Sequence, residues 1–273
     1  MIITNLIENT EGAQGLTPEH GLSFYIETSK HKLLMDTGAG NLLLENAEKL
    51  GINLKEVDTL ILSHGHYDHS GGIMPFASIN KEADIYMQKT AILDYYSIRE
   101  DKPHYIGIDK AIANLPNLHF VGETLEIDSE LLLFSGIKNV FEIPSTNRRL
   151  KMKAEGELVW DDFNHEQCLV ITHKNKKILM SGCAHHGILN IMERYKEIFK
   201  ADPDVVISGF HLLKKSGYSQ EDIDEIEAIA KRLLKYDSVF YTCHCTGVEP
   251  YEVMKSIMGE RLKYIHCGDT VKL

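Results

Sequence analysis

Residues 64–69 read His-Gly-His-Tyr-Asp-His, and Ser70-Gly71-Gly72 follow. Four side chains with metal-binding atoms fall within these six residues. Ahead of them lies an apolar run, Val57, Leu60, Ile61 and Leu62, interrupted by Asp58 and Thr59. A run this short cannot make a helix of its own and reads as a buried strand. The cluster therefore stands where a strand gives way to its loop, a common place for chemistry in an α/β sheet. In extended chain the side chains alternate with period two, so His64 and His66 point to one side. Asp68 and His69 come past a bend, close enough to serve a second ion. Imidazole nitrogen with carboxylate oxygen suits zinc, manganese or ferrous iron. The plain alternative is a polar, His-rich surface loop, and the spacing argues against it.

The 273 residues are enough for one sizeable domain or two small ones. Apolar residues make up 43% and charged residues 25%, the balance of a soluble globular chain. A net charge of −11 argues against general nucleic-acid binding, which needs a basic surface. It leaves room for a small anionic substrate in a local basic pocket. No apolar run approaches the roughly 20 residues of a membrane span. The start, Met1-Ile2-Ile3-Thr4-Asn5-Leu6-Ile7, has no basic region or cleavage site of a signal peptide and reads as a first strand. Five cysteines are an odd count without disulfide-scaffold spacing, which points to a reducing cytoplasm.

Taken in order, residues 2–7 are expected as an edge strand and Glu8 to Gly21 as a loop ending at His20. Leu22 to Glu27 and Lys32 to Met35 read as a strand pair, closed by Asp36-Thr37-Gly38. Asp36 is either a support for the metal site or a plain turn residue. Leu42 to Leu50 reads as a helix capped by Gly51. After the His-rich motif come a strand at Asp84 to Met87 and a helix from Lys89 to about Tyr96. Ser97 to Gly107 reads as an irregular surface insertion. Leu118 to Val121, Leu125 to Ile127 and Leu131 to Phe134 form a second set of strands. Residues 144–167 show weak periodicity and read as a long functional or mobile loop. Cys168 to Thr172 and Lys177 to Met180 make a hairpin, and Ile188 to Lys200 a helix. Val205 to Ser208 is a strand. Ser219 to Tyr236 is the clearest helix, with Ser219 as its N-cap. Val239 to Thr242, a helix near Pro250 to Met258 and a strand at Leu262 to His266 complete the order.

The motif His-Gly-His-Tyr-Asp-His-Ser-Gly-Gly closely resembles the HxHxDH signature of the metallo-β-lactamase superfamily. The resemblance implies an αββα sandwich, two mixed β-sheets face to face with helices outside. Residues 1–273 would then form a single domain, with the metal site at one edge between the sheets. It also implies His64 and His66 on a first metal, and Asp68 and His69 on a second. In the superfamily a third His completes the first metal, an Asp bridges the two, and a last His completes the second. Three further segments place a His beside Gly after an apolar strand: Gly182 to Gly187, Gly209 to His211 and Cys243 to Gly247. His185 is the expected third ligand of metal one, with His186 facing away, and His244 the expected ligand of metal two. Cys183 stands where the bridging Asp would be; it is either a bridging thiolate or a small buried residue. His211 is expected as a catalytic residue beside Asp68, with a buried structural role as its alternative.

The same three segments resemble the branch that contains the dihydropterin–ribofuranosylaminobenzene phosphate synthases. The resemblance runs from about Leu22 to Gly247, and none of its motifs is specific for a substrate. Two divalent ions, zinc before manganese or iron, would lower the pKa of a bridging water or stabilise charge on a carbonyl or phosphoryl oxygen. Hydrolysis of an ester, lactone or phosphoester is the generic outcome, and condensation of a pterin diphosphate is the one the branch implies. An iron-binding redox protein is the alternative from another class, since Cys183, Cys243 and Cys245 adjoin the ligands; no four convergent cysteines favour it. Arg148, Arg149, Lys151 and Lys153 put four positive charges into six residues. Most charge runs are solvated surface, but guanidinium forks match phosphate oxygens. Arg148, Arg149 and Lys151 are therefore expected to bind a phosphorylated small molecule. Trp160 either covers an aromatic moiety of the substrate or sits in the core.

Overall fold

A computed structural model describes residues 1–12 and 15–273. The loop expected over 8–21 includes residues 13 and 14, which lie outside the described residues. One seven-stranded sheet runs, edge to edge, through Thr270–Lys272, Ile2–Ile7, Ser23–Glu27, Lys32–Met35, Thr59–Ile61, Asp84–Gln88 and Leu118–Val121. A second runs through Leu262–Tyr264, Val239–Thr242, Val205–Ile207, Lys176–Met180, Cys168–His173, Leu131–Phe134 and Thr124–Glu126. Each is mixed, with parallel pairs at one end and antiparallel pairs at the other.

Period-two alternation explains the layering, since both faces of each sheet are buried. Leu33, Met35 and Ile61 of the first sheet meet Ile178, Met180, Val205 and Ile207 of the second in the core between them. Their neighbours Leu34 and Leu60 point outward, onto Leu43 and Ala47 of helix Leu42–Lys49 and onto Ile73 and Phe76 of helix Ile73–Ile79. On the other side Leu179, Val206 and Phe240 pack against helices Ile188–Phe199, Gln220–Leu233 and Val248–Met258. Strands buried on both faces read as continuous apolar runs, and each fully buried aliphatic contributes about 1.5–3 kcal/mol. The result is the expected αββα sandwich. Helix Gln220–Leu233 starts at Ser219, whose side chain forms a capping box with Asp222.

Several expectations fail. Ile2–Ile7 is not an edge strand, because Thr270–Lys272 pairs outside it. The segment Lys89–Tyr96 is not one helix. A short 3-10 turn, Lys89–Ile92, is followed by strand Tyr95–Arg99, where aromatic and β-branched residues favour extended chain. Ser97 to Gly107 is not irregular; it contains strand Lys102–Tyr105, paired with Tyr95–Arg99. Leu118–Val121 belongs to the first sheet, beside Asp84–Gln88. Residues 144–167 are not an unstructured loop. They hold a 3-10 turn, Ser145–Arg149, and a hairpin, Leu150–Ala154 with Glu157–Trp160. Leu150–Ala154 also pairs with Tyr95–Arg99, giving a third, four-stranded sheet over its own small core of Tyr95, Ile106, Leu150 and Phe163. Trp160 is exposed on this hairpin, under the Lys151 ammonium at 3.1 Å from the ring centroid, and is not a core residue.

Gly71 seats the motif against the rest of the first sheet. A Cβ there would overlap the backbone of Ala39, in the loop that follows Asp36. Gly71→Ala is expected to destabilise the fold by about 1–3 kcal/mol, as overpacking against backbone does. A melting temperature equal to that of wild type would contradict this close approach.

Candidate metal centre

Four loops meet at one end of the sandwich. The first follows strand Thr59–Ile61 and carries residues 63–70. The others follow Lys176–Met180, Val205–Ile207 and Val239–Thr242 in the second sheet and carry His185, His211 and His244. Ala184, His211 and His244 each take the left-handed backbone region, as does Asp36 in the first sheet. Non-glycine residues there are strained and persist only where their surroundings hold them.

The surroundings can be named. Two buried glutamates grip the loop backbones: Glu8 accepts from the His244 N–H at 2.6 Å, and Glu166 from the N–H groups of His185 (2.6 Å) and His186 (3.0 Å). Glu166 also takes the His186 ring at 2.8 Å, so that imidazole faces away from the cluster. Asp36 is wholly buried and accepts from the Ser63 N–H (2.7 Å), the Ser63 hydroxyl (2.6 Å) and His69 Nδ1 (2.6 Å).

These contacts fix tautomers. The Ser63 hydroxyl donates to Asp36, so it accepts from His64 Nδ1 at 2.8 Å. His185 Nδ1 lies 3.0 Å from Asn147 Oδ1, and His244 Nδ1 2.8 Å from Asn9 Oδ1. Thr146 donates its hydroxyl to the His211 carbonyl and so accepts from His211 Nδ1 at 2.8 Å. In His64, His69, His185, His211 and His244 the proton is thus on Nδ1, and Nε2 carries a lone pair. The Nε2 atoms of His64, His66 and His185 are buried without a hydrogen-bond partner. Three buried ring nitrogens without a partner, on imidazoles whose centroids lie 4.6 to 4.8 Å apart, are costly unless a cation completes them.

The ligand atoms fall into two groups that share one sulfur. His64, Cys183 and His185 form one; His69, Cys183 and His244 form the other, each set lying within 4.8 Å. Cys183 Sγ is 3.1 Å from His69 Nε2. Asp68 Oδ2 lies 3.6 Å from His244 Nε2 and 3.3 Å from His20 Nε2. A third grouping, His66 with Asp161 and His165, is of a different kind. His165 Nδ1 accepts from the Gly65 N–H at 2.9 Å, so its proton is on Nε2, 3.2 Å from Asp161. That ring has no lone pair left for an ion.

A cavity of about 830 Å³ opens over the two groups. His66, Asp68, Cys183, His185, His211 and His244 line it, while His64 and His69 lie buried beneath. Of the basic run only Arg149 reaches the lining; Arg148 and Lys151 do not. The lining also includes His20, Arg99 and Lys215, which the sequence did not single out. A second cavity of about 380 Å³, lined by Lys176, Asp204, Asp237, Arg261 and Lys263 among others, contains none of the site residues.

The Metallo-beta-lactamase superfamily profile matches residues 16–231. The chain belongs to the metallo-β-lactamase superfamily. An uncharacterized protein of Methanocaldococcus jannaschii is 26% identical over 99% of both chains. A second protein of that organism, named 7,8-dihydropterin-6-methyl-4-(beta-D-ribofuranosyl)-aminobenzene-5'-phosphate synthase, is 27% identical, over 93% of this chain and 90% of its own. The crystal structure of Tm1679, described as a metal-dependent hydrolase of the beta-lactamase superfamily, superposes with a TM-score of 0.85. It is 29% identical and covers 100% of this chain and 99% of its own. The metallo-β-lactamase fold implies divalent-metal binding, and the groups above are ones that could hold a metal ion.

Burial, with the charge of neighbouring imidazoles, pushes His64, His66, His185 and His244 well below the usual imidazole range. Burial and Arg149 bring His211 down to about 3. His69 goes the other way: burial opposes its charge, but Asp36 outweighs burial and raises it. A depressed imidazole binds fewer protons folded than unfolded, so stability is lost as pH falls through the unfolded value near 6.5. His69 contributes in the opposite sense. Metal-free protein is expected to lose up to about 1.4 kcal/mol per depressed imidazole per pH unit below that point. Thermal melts from pH 7.5 to 5.5 check this, and a flat profile would contradict buried neutral rings. Asp36→Ala, which frees Ser63 and His69 together, is expected to weaken divalent-ion affinity about 10–100-fold in chelator competition. Unchanged affinity would contradict the role of this carboxylate.

Proposed function

We propose that the protein is a binuclear metal-dependent enzyme acting on a phosphorylated small molecule. The carrying observation is the set of orphaned Nε2 atoms of His64, His66 and His185 beside a second donor group. His64, His66 and His185 would hold one divalent ion, zinc before manganese or iron. Asp68, His69 and His244 would hold the other, with Cys183 between them in place of a carboxylate. Burial, Cys245 and the carboxylates of Asp68 and Asp36 raise the Cys183 thiol, so it is protonated without a cation beside it. Adjacent divalent charge reverses that balance and favours a bridging thiolate.

Ions bound there would supply Lewis-acid charge to a phosphoryl or carbonyl oxygen. The chain's own residues do the rest. His211 presents Nε2 to the cavity as an acceptor, its Nδ1 proton held by Thr146, and orients a donor on the substrate. Asp68 lies between His20 and His244, its Oδ2 at 3.3 Å and 3.6 Å from their Nε2 atoms, and is open to a cation there. Arg149 supplies a guanidinium for phosphate. Residues of the small sheet line the cavity beside the donor groups, and the 27% identical relative is named a synthase, which favours a condensation in which diphosphate would leave. Hydrolysis of a phosphoester is the second reading, favoured by the likeness to Tm1679. A thiolate–iron centre has little support: Cys168 and Cys243 are packed in the two cores, and Cys267 lies against Asn46.

Elemental analysis is expected to find two ions per saturated chain, with His64→Ala losing one and Asp68→Ala weakening the other. Pyrophosphate release from a pterin diphosphate with an aminobenzene ribosyl phosphate separates condensation from phosphoester hydrolysis. Pyrophosphate is expected to inhibit competitively. Full metal content in both variants, or turnover indifferent to pyrophosphate, would sink the reading.

A further inference from the structure

Three basic side chains from distant parts of the sequence converge on the mouth of the cavity: Arg99, Arg149 and Lys215. Each is delivered by an element already tied to the site. In the small sheet Ser97 is opposite Leu150, so Arg99 stands beside the end of the turn that carries Arg149. That turn, Ser145–Arg149, also holds His211 through Thr146 and His185 through Asn147. Asn147 grips His185 twice, at the ring and at the carbonyl oxygen (2.7 Å). Lys215 follows His211 in a loop whose Leu212 and Leu213 N–H groups both donate to the Cys245 carbonyl, at 2.9 and 2.8 Å. The spacing from these cations to the proposed ligands is therefore set by short hydrogen-bonded segments.

None of the three cations has an ion-pair partner among the described residues. Glu100 also lines the cavity and pairs with none of them. Burial and the charge of Arg99 lower the Arg149 guanidinium, so the two repel across the opening. Like charges gathered without an ion-pair partner, in a chain of net −11, are stabilised when an anion arrives. The rest of the lining includes Tyr67, Ser97, Ile98, Ile106, Leu150 and Leu213, a mixture that suits a sugar or ring between two charged ends.

We propose that Arg99, Arg149 and Lys215 form a second anion subsite at the cavity mouth, separate from the metal floor, which takes a phosphate monoester remote from the reacting group. The ligand is then doubly anchored, its reacting group at the floor and a non-reacting phosphate at the mouth. As a substrate subsite this rests on the enzymatic reading above; as an anion site it stands alone.

The test uses the metal-saturated full chain, with ribose 5-phosphate as probe and ribose as its uncharged control. Arg99→Gln and Lys215→Gln alter exposed side chains and are expected to keep the wild-type melting temperature. Each should lower ribose 5-phosphate affinity about tenfold in calorimetry, the loss of one charged hydrogen bond. Acetate, which can reach the floor but not span to the mouth, should bind wild type and variants alike. Ribose 5-phosphate binding equally well to wild type and the double variant, or an equal loss for acetate, would overturn the subsite. Metal content is read on the same samples. If wild type takes up no divalent ion under the saturating conditions and ribose 5-phosphate affinity still falls on Arg99→Gln, the subsite stands and the binuclear reading fails.

Discussion

The Asp36 carboxylate ties the end of strand Lys32–Met35 to the loop that carries the His-rich motif. It sits at the end of one strand and accepts three hydrogen bonds from the next loop, two from Ser63 and one from His69. Through the Ser63 hydroxyl it sets the tautomer of His64; directly, it sets that of His69. One buried anion thereby aims two imidazoles of one motif. Its own left-handed backbone is a local cost met by those bonds. Glu166 and Glu8 do the corresponding work in the second sheet, but on backbone N–H groups, which places the loops and leaves the rings to Asn147 and Asn9.

The arrangement divides the labour between buried acids and neutral amides. Carboxylates stand where a loop or a ring must be held against strain. Amide oxygens stand behind His185 and His244, where they orient without adding charge. On the same side, burial and the charge of Arg149 lower the His211 ring.

The layers were legible because strands buried on both faces leave unmistakable apolar runs, such as Leu60-Ile61-Leu62 and Ile178-Leu179-Met180. The motif was legible because its side chains are adjacent in sequence. The small sheet was not. Lys102–Tyr105 and Glu157–Trp160 are exposed throughout, so they carry no clean alternation, and the sheet depends on pairing Ser97 with Leu150. The supports of the site were hidden for the same reason. Glu8 meets His244 across 236 residues, and His20 meets Asp68 only once the strands of the first sheet lie side by side. Of the basic run, the turn carries Arg149 to the cavity, while Lys151 is turned to Trp160 on the following strand.

The two donor groups draw on both sheets: residues 64–69 belong to one half of the sandwich, and residues 183–185 and 244 to the other. Cys183, reaching from the second half to His69 of the first, lies on the seam. An ion held by such a set would act as a rivet between the halves, binding only when they are docked. The resistance of the sandwich to splitting would then rise with the concentration of free metal, and the supply of ions would govern the lifetime of the fold as well as its chemistry.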